Sequence, residues 1–411
     1  MRITMAFKDQ DDIREKYPEW PQFDEEDIKA VTDVIKSGKW WIGAPKTHIG
    51  ENGWSFQEEF AEMQEAKYAF ACTNGTHAIE IALSALGIGL GDEVICPVTS
   101  FVATASAIVA VNAVPIFCDC DEDTFNIDYR KIEDLITERT KAILPVHLGG
   151  MPCQMDKIME IADKYDLMVV EDCAHSHGSR FKGKRLGNWG HCGTFSMQAS
   201  KVLTSGEGGC VICNDDEVAE AVYSYLDAGR KPGEYFYEHF CYGSNYRIPE
   251  LCAALLRSQL KKFPAQHEKR NENALYLSEK LNQIDGIQCQ KRSDYVDECG
   301  YYVFPVKFDP DKFGGITKSE FYEFLNKQGI PTDDDYPPMH QLGLFKNVKL
   351  KKGIDYSQAN WGGDKSKDEY WPVAVDIYNH SFEFPQELLL GTKEQMDYIV
   401  EKILELQESQ A

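Results

Sequence analysis

The sequence has no long hydrophobic run and is short of positive charge. Nowhere do about eighteen apolar residues follow one another, so we expect no membrane-spanning helix. Lys and Arg number 43 against 67 Asp and Glu, which gives a net charge of −24. Such acidity repels nucleic acid and anionic membranes. The first residues lack the apolar core of a signal peptide, and we therefore expect a cytoplasmic protein.

The cysteines do not form a pattern that predicts a metal site or disulfides. There are 13 of them, an odd number, and most lie inside apolar segments, where a free thiol packs as a small hydrophobic group. Cys210-Val-Ile-Cys213 has CxxC spacing, but it is typical of a strand and no second pair follows at zinc-ribbon spacing. We expect no metal and a reducing compartment.

Short apolar runs alternate with helical patterns between residues 68 and 215. We predict strands over 68–72, 93–97, 114–118, 142–147, 167–171, 193–197 and 209–213. Helical spacing over 76–86 and 155–165 separates some of them. Uniformly apolar strands joined by helices indicate a parallel sheet covered on both faces. The predicted fold class is α/β: a three-layer αβα domain around a mostly parallel, seven-stranded sheet.

The pattern changes after residue 265. We predict an N-terminal segment over 1–24, a large domain over 25–265 and a smaller α+β C-terminal domain over 266–411. The predicted elements of this second half are an apolar helix over 250–260, a charged helix over 266–281, a strand over 301–308, and helices over 318–328 and 392–407. The last helix opens on a Thr392–Gln395 capping box. We expect the acidic span 355–370 to be an exposed loop.

One lysine and one carboxylate carry the strongest chemical signal. Lys201 follows Ser196-Met-Gln-Ala-Ser and precedes a Gly-rich turn, and Asp172 lies 29 residues upstream at the end of an apolar run. Pyridoxal 5′-phosphate needs an amine to hold its aldehyde as a Schiff base and an anion to keep its pyridine nitrogen protonated. An ordinary buried Asp and an exposed loop lysine are the alternatives, and the pairing favours a shared cofactor site.

A second signal suits the phosphate and the ring of that cofactor. Thr73-Asn-Gly-Thr76 lies between a strand and a helix, where backbone N–H groups can bind an anion. Gly75 permits close approach, the Thr76 hydroxyl can donate, and Ser196 could donate as well. A simple helix N-cap is the alternative for this turn. Phe101, after the next strand, could stack on a flat heteroaromatic ring or be a plain core residue.

Five motifs in order resemble the sugar aminotransferases of the DegT family. They are Asn74-Gly-Thr-His-Ala-Ile, Gly91-Asp-Glu-Val-Ile, Glu171-Asp-Cys-Ala-His-Ser-His-Gly, Lys201-Val-Leu-Thr-Ser-Gly-Glu-Gly-Gly and Gly243-Ser-Asn-Tyr-Arg-Ile. The resemblance covers about residues 25–265. It implies fold type I of the pyridoxal phosphate enzymes, with the cofactor in the large domain, and a homodimer whose sites lie at the subunit interface.

The resemblance also implies a role for each matching residue. Lys201 would be the Schiff-base lysine and Asp172 the partner of the pyridinium nitrogen. Gly75, Thr76 and Ser196 would lie at the cofactor phosphate, His175 beside the 3′-oxygen and Phe101 over the ring. Asn245 would reach the phosphate of the cofactor that the neighbouring subunit binds. Asn245 could instead be a capping residue of its own turn.

Some positions depart from the usual family pattern. His77 stands where many members have Ala, so it could be a plain helix residue or a substrate contact. Pro337-Pro-Met-His340 resembles a substrate loop of the family, which makes His340 a second candidate. The basic residue that usually precedes this loop is replaced by Asp333-Asp-Asp335, which argues against a nucleotide diphosphate nearby.

The detailed resemblance is strongest to the branch that aminates cyclitol ketones, the glutamine:scyllo-inosose type. It rests partly on Phe382-Glu-Phe-Pro-Gln-Glu-Leu-Leu-Leu. We expect transfer of an amino group from L-glutamine or L-glutamate to the ketone of a cyclitol or sugar. The alternatives are an aminotransferase for a nucleotide-linked keto-deoxy sugar, a decarboxylase or lyase of the same fold, and a non-catalytic sensor. Lys201 argues against the dehydratase branch, which has His there.

Overall fold

Short buried strands alternate with helices through the first half of the chain. The computed structural model describes residues 17–43, 50–346, 350–357, 359–361 and 367–410. The helices are α1 (Glu25–Ser37), α2 (Asn52–Gln64), α3 (Gly75–Ala85), α4 (Ala103–Ala110), α5 (Met155–Tyr165), α6 (Asp216–Leu226), α7 (Glu250–Leu281), α8 (Lys318–Lys327), α9 (Pro372–His380) and α10 (Lys393–Gln410). The strands of the first half are β1 (Tyr68–Cys72), β2 (Glu93–Pro97), β3 (Val114–Cys118), β4 (Thr140–Ile143), β5 (Met168–Asp172), β6 (Arg180–Phe181), β7 (Lys184–Arg185), β8 (Cys192–Ser196) and β9 (Gly209–Cys213).

Seven strands form the central sheet in the order β1-β9-β8-β5-β4-β2-β3. They are the seven strands predicted from the sequence, with ends that differ by a few residues. Strand β9 runs antiparallel to both of its neighbours, and the other neighbouring pairs are parallel. Every residue of β2, β3, β8 and β9 is buried, as expected for a sheet covered on both faces. The predicted α/β class is confirmed.

This topology brings the functional segments to one edge of the sheet. Strand β1 leads through a short turn into α3, and β2 leads into α4. Asp172 ends β5 and Ser196 ends β8, and the register pairs Asp172 with Thr194. Because parallel strands place their carboxyl ends together, these turns and strand ends converge, and such an edge is where open α/β sheets bind ligands.

A smaller sheet packs beside this edge. Its strands are β10 (Ile287–Cys289), β12 (Val303–Phe308), β13 (Asp333–Asp334) and β14 (Ser381–Pro385), in the order β10-β12-β14-β13. Strand β11 (Val296–Glu298) pairs with β6 in a separate three-stranded sheet. Phe308, Phe321 and Phe382 are fully buried in the small sheet's aromatic core, and the Phe308 and Phe321 ring centroids lie 4.7 Å apart.

Helix α7 joins the two parts of the chain. The sequence predicted separate helices over 250–260 and 266–281, but the structure has one helix of 32 residues that contains Pro264. The prediction of a break was wrong because buried packing along the helix, which includes Leu256, Phe263 and Leu277, outweighs the hydrogen bond that proline removes. The predicted domain boundary at 265 falls inside this helix and stays a prediction.

The span predicted as an exposed loop is partly buried. Trp361 is fully buried and its indole N–H donates to the Pro115 carbonyl oxygen at 2.7 Å, while Asn360 bonds both backbone groups of Phe117. The sequence prediction was wrong at these positions, since apolar contacts to β3 outweigh the acidic composition of the segment. Residues 358 and 362–366 of this span lie outside the described residues.

The C-terminal helix begins as predicted. The Gln395 backbone N–H donates to the Thr392 hydroxyl at 3.3 Å and the Thr392 N–H donates to the Gln395 side chain at 2.8 Å, which completes the capping box. Met396, Ile399 and Ile403 are buried, and α10 packs against α7 and α8. Across the described ranges, no helix combines the length and the apolarity that a bilayer crossing requires.

Candidate active site

A cavity of about 560 Å³ lies where the strand ends meet the small sheet. Eight of the predicted site residues line it: Gly75, Thr76, His77, Phe101, Asp172, His175, Ser196 and Lys201. They come from four separate segments of the chain, which the sequence could connect only through their motifs. Asn245 and His340 do not line this cavity.

The N-terminus of α3 forms one end of the cavity. The Asn74 side chain accepts from the His77 backbone N–H at 2.9 Å, so the N-cap expected as an alternative reading is present. The N–H groups of Gly75 and Thr76 begin the helix and have no acceptor within it. A Cβ at Gly75 would lie 2.6 Å from the Ser196 Cβ, so only glycine lets the helix end approach β8 this closely. The arrangement suits an anion.

Asp172 is held in place by hydrogen bonds at the end of β5. One carboxylate oxygen accepts from the Thr104 hydroxyl at 2.9 Å and the other from the Ala174 N–H at 3.1 Å. Burial raises the pKa of Asp172, while these hydrogen bonds and the charge of Lys201 lower it. The carboxylate is therefore fixed, desolvated and able to hold a cation that enters the cavity.

Lys201 lines the same cavity. Its side chain is buried, with the ammonium 3.6 Å from the centroid of the Tyr302 ring. Burial lowers the pKa of Lys201 to about 7, against the opposing charges of Asp172 and Glu383. A lysine with its ordinary pKa of 10.5 would be protonated at neutral pH, whereas this one is available as a nucleophile and base.

His175 provides a neutral ring beside Lys201. Burial, and then the charge of Lys201, lower its pKa well below the ordinary value. Its Nδ1 faces the Gly149 N–H at 3.3 Å, so Nδ1 accepts and the proton resides on Nε2. The imidazole also packs against the rings of Tyr302 and Tyr336, with centroids 4.2 Å and 5.9 Å away. The site thus contains an oriented hydrogen-bond donor that carries no charge.

Two tyrosines in the cavity wall were not singled out from the sequence. Tyr302 and Tyr336 both belong to the second half of the chain, and the Tyr302 hydroxyl lies 2.8 Å from the Ser200 hydroxyl. Tyr302 lies in the predicted strand over 301–308 and Tyr336 directly precedes the Pro337–His340 segment, but nothing in the sequence marked either tyrosine itself. Phe101 is 54 % exposed and its ring lies 6.1 Å from that of Tyr336, so it is a cavity residue and not a plain core residue.

His77 and His340 have different surroundings. The His77 ring lies in the cavity wall, with Nδ1 2.5 Å from the Thr73 hydroxyl and the ring centroid 4.5 Å from that of Tyr246. His340 is buried away from the cavity, where Nε2 lies 2.9 Å from an Asp368 carboxylate oxygen. The position of His77 suits a substrate contact, and that of His340 does not within this chain.

Asn245 lies on the surface, outside the cavity of its own chain. Its backbone pairs with Asp227, and the preceding segment exposes several aromatic side chains: Tyr235, Phe236, Tyr237, Phe240 and Tyr242. Exposed aromatic groups in one segment are unusual on a monomer and common at contacts between chains.

Two aminating enzymes are similar in sequence to most of this chain. An L-glutamine:2-deoxy-scyllo-inosose aminotransferase of Streptoalloteichus tenebrarius is 35 % identical over 363 residues, which cover 86 % of this chain and 85 % of the relative. A 3-amino-5-hydroxybenzoate synthase of Amycolatopsis mediterranei is 36 % identical, covering 80 % and 84 %.

A solved structure confirms the predicted fold. The crystal structure of a 3-amino-5-hydroxybenzoic acid synthase matches with a TM-score of 0.85 and 29 % identity, over 96 % of this chain and 99 % of that one. The sequence pattern of the DegT/DnrJ/EryC1/StrS aminotransferase family matches residues 21–402. This chain belongs to the DegT/DnrJ/EryC1/StrS family, and it is an aminotransferase.

Proposed function

We propose that this aminotransferase binds pyridoxal 5′-phosphate in the cavity and moves an amino group from L-glutamine or L-glutamate to the ketone of a cyclitol or sugar. The observation that carries the proposal is the pairing of Lys201 and Asp172 in one cavity. The lysine is buried with a pKa of about 7, and the carboxylate is fixed by Thr104 and Ala174.

The cavity fits this cofactor at both ends. Gly75 and Thr76 offer helix N-terminal N–H groups to a phosphate, with the Ser196 hydroxyl beside them. Asp172 suits a protonated ring nitrogen, and the neutral His175 can donate from Nε2 to a phenolic oxygen. Phe101 is exposed in the cavity and can cover a flat ring. The bound cofactor supplies an electron sink that makes a Cα proton removable.

The residues of this chain supply the proton transfers. Without a bond to a cofactor, Lys201 is a buried amine with a pKa of about 7. It can accept the proton from the donor Cα and return it one position away. For the acceptor ketone, Lys201 would move the proton in the opposite sense. Asp172 would stabilise a protonated ring nitrogen, because its carboxylate is held in place by two hydrogen bonds.

The substrate class rests on the relatives and on the cavity wall. Relatives that act on inososes with L-glutamine match most of this chain. Among the described residues that line the cavity, Lys201 is the one Lys or Arg side chain. An acceptor with a diphosphate would need further cations, whereas a neutral or cationic ring would not. These observations favour a cyclitol or simple sugar over a nucleotide-linked sugar.

We further propose a homodimer in which Asn245 reaches the cofactor phosphate of the partner. Support comes from its exposed position outside the cavity of its own chain and from the aromatic side chains exposed at 235–242. An obligate dimer of this kind should bury more than about 2,000 Å².

The test is an acceptor panel with purified, cofactor-loaded enzyme. L-glutamine and L-glutamate are each supplied with inososes, free keto sugars and nucleotide-linked keto-deoxy sugars, and the aminated product is measured by mass spectrometry. We expect product from an inosose or free keto sugar with the wild type and none with Lys201→Ala. Product from nucleotide-linked sugars alone would contradict the proposed substrate class.

A further inference from the structure

Tyr302 lies between the small sheet and the segment that carries Lys201. It directly precedes β12, and its side chain forms part of the cavity wall. The proposed reaction as described above gives this tyrosine no role. Two parts of its side chain make different contacts, because the hydroxyl bonds the turn before Lys201 and the ring lies against the Lys201 amine. Both contacts act on the group that carries the proton.

The hydroxyl of Tyr302 anchors the turn that leads into Lys201. The Lys201 backbone N–H donates to the Gln198 carbonyl oxygen at 2.8 Å, which closes this turn. The Ser200 hydroxyl donates its one proton to the Gln198 side-chain oxygen at 2.7 Å. The Tyr302 hydroxyl, 2.8 Å from the Ser200 oxygen, is therefore the donor of that hydrogen bond. Burial raises the pKa of Tyr302, so this proton is retained at neutral pH.

The ring of Tyr302 contacts the Lys201 amine directly. The lysine nitrogen lies 3.6 Å from the ring centroid. In the part of the chain that the structure describes, this nitrogen has no hydrogen bond and no ion pair. A cation over an aromatic face is attracted by the ring electrons, and most strongly where water is excluded. Because the Lys201 side chain is buried, this contact is of the stronger kind.

The Tyr302 ring is fixed in its orientation. Its hydroxyl is held by Ser200, and its face packs against the His175 imidazole with the two centroids 4.2 Å apart. The Gly149 N–H in turn orients His175 at 3.3 Å. A ring that is already in place does not have to reorganise when a positive charge develops on Lys201, which is the condition for efficient stabilisation of that charge.

The other titratable groups near Lys201 offer its ammonium little. They are Asp172 from β5, His175 and His177 from the turn after β5, and Glu383 from β14. Burial lowers the pKa of both histidines, so both are uncharged at neutral pH. Burial also raises the pKa of Glu383 well above its ordinary value. In the proposed reaction Asp172 is engaged with the cofactor ring, which leaves the Tyr302 ring as the group in contact with the ammonium.

We propose that Tyr302 is a positioning residue that holds the protonated Lys201 between the two proton transfers, with its ring against the ammonium and its hydroxyl on the Lys201 turn. The inference rests on the proposed function, because it concerns the proton transfers of that reaction. The proton comes from the donor Cα, resides on the lysine nitrogen as a third N–H, and leaves for the carbon one position away. Tyr302 stabilises the charge and exchanges no proton itself.

The first measurement uses the apoenzyme and needs no turnover. Acetic anhydride reacts with uncharged amines, so the pH dependence of Lys201 acetylation, followed by peptide mass spectrometry, gives the midpoint at which Lys201 loses its proton. Tyr302→Leu removes the ring and the hydroxyl, whereas Tyr302→Phe removes the hydroxyl alone. Because the ring favours the ammonium, Tyr302→Leu should lower the midpoint by about one pH unit. Tyr302→Phe keeps the aromatic face and should stay within about 0.3 pH units of the wild type.

Tyr295 provides a matched control outside the cavity. It is 53 % exposed, and the Lys182 ammonium lies 4.5 Å from its ring centroid. Tyr295→Leu therefore removes a ring from a lysine elsewhere and should leave the Lys201 midpoint unchanged. Thermal unfolding shows whether each variant is folded, and Tyr302→Met, which has a long side chain and no ring, replaces Tyr302→Leu if that variant does not fold.

The second measurement uses the holoenzyme. Tyr302→Leu should lower kcat by roughly tenfold, the factor that corresponds to one pH unit, and leave KM for the amino donor within about twofold. The split between kcat and KM is expected because the ring contacts Lys201 and not the donor. Tyr302→Phe should lower kcat by less, since it loses the bond to Ser200 and retains the ring.

The outcomes separate this inference from the proposed function. A Lys201 midpoint that is unchanged or higher in Tyr302→Leu overturns the inference, and so does an equal shift in Tyr302→Phe, which would assign the effect to the hydroxyl. A lower midpoint with an unchanged kcat also overturns it, because the contact would then have no part in the reaction. Each of these results leaves the proposed function intact. If wild-type holoenzyme aminates no acceptor, the proposed function fails and the role of Tyr302 in it fails too, whatever the midpoints are.

Discussion

The lowered pKa of Lys201 predicts a measurable cost to the apoenzyme. A drop from 10.5 to about 7 corresponds to roughly 4.8 kcal/mol, at about 1.36 kcal/mol per pH unit. Because the folded pKa lies below the unfolded one, the unfolded chain holds the proton between these values and the folded chain does not. The cost is therefore fully present below pH 7 and is relieved as the pH rises toward 10.5.

Replacing Lys201 by Met removes the amine and keeps a long unbranched side chain. We expect apo Lys201→Met to be more stable than the apo wild type, and the difference to shrink by about 2 kcal/mol between about pH 6.5 and about pH 8.5. Urea unfolding at several pH values measures both stabilities. Lys261→Met, on the exposed side of α7, is the matched control and should follow the wild type. Parallel stability curves for the wild type and Lys201→Met would refute the lowered pKa.

Three further predictions concern the cofactor and the dimer. Asp172→Asn should still bind pyridoxal phosphate, but its kcat should fall by roughly 100-fold or more, because the anion that keeps the ring charged is gone. Single-turnover kinetics measure this rate, and an unchanged rate would make Asp172 a structural group. Gly75→Ala should weaken cofactor binding at least about tenfold in a fluorescence titration, since the added Cβ forces the end of α3 away from β8. Gly89→Ala is the control: its Cβ would lie 3.9 Å from the nearest atom, so this variant should bind the cofactor normally. Mixing inactive Lys201→Ala with inactive Asn245→Ala chains should restore part of the activity through heterodimers with one complete site, and no recovery despite proven subunit exchange would argue against a shared site.

The central sheet was predictable because each of its strands can be recognised from its own residues. Each strand is a short run of mainly apolar residues, and the turn at Gly75 and the Lys201 segment have sequence motifs that can be recognised on their own. Motif order then placed Asp172 and Lys201 together without any knowledge of distances. These residues were predictable because each lies at a strand end or turn whose position follows from the topology of the sheet.

The side of the cavity next to the small sheet was much less predictable. Tyr302 and Tyr336 line the cavity from the ends of β12 and β13, two strands that meet only through their antiparallel pairing with β14. Nothing local marks a tyrosine as a cavity residue. Contacts between distant segments also explain why the prediction of an exposed loop was wrong at Trp361. Its acidic sequence neighbours suggest exposure, but its indole packs against β3.

The most direct test of this account is to find where the cofactor is attached. Holoenzyme reduced with borohydride fixes the bond between pyridoxal phosphate and its lysine, and peptide mass spectrometry then identifies the modified residue. The account predicts one pyridoxyl group per chain, on Lys201, and none in reduced Lys201→Ala. Modification of another lysine, or an unmodified Lys201 in active enzyme, would contradict it.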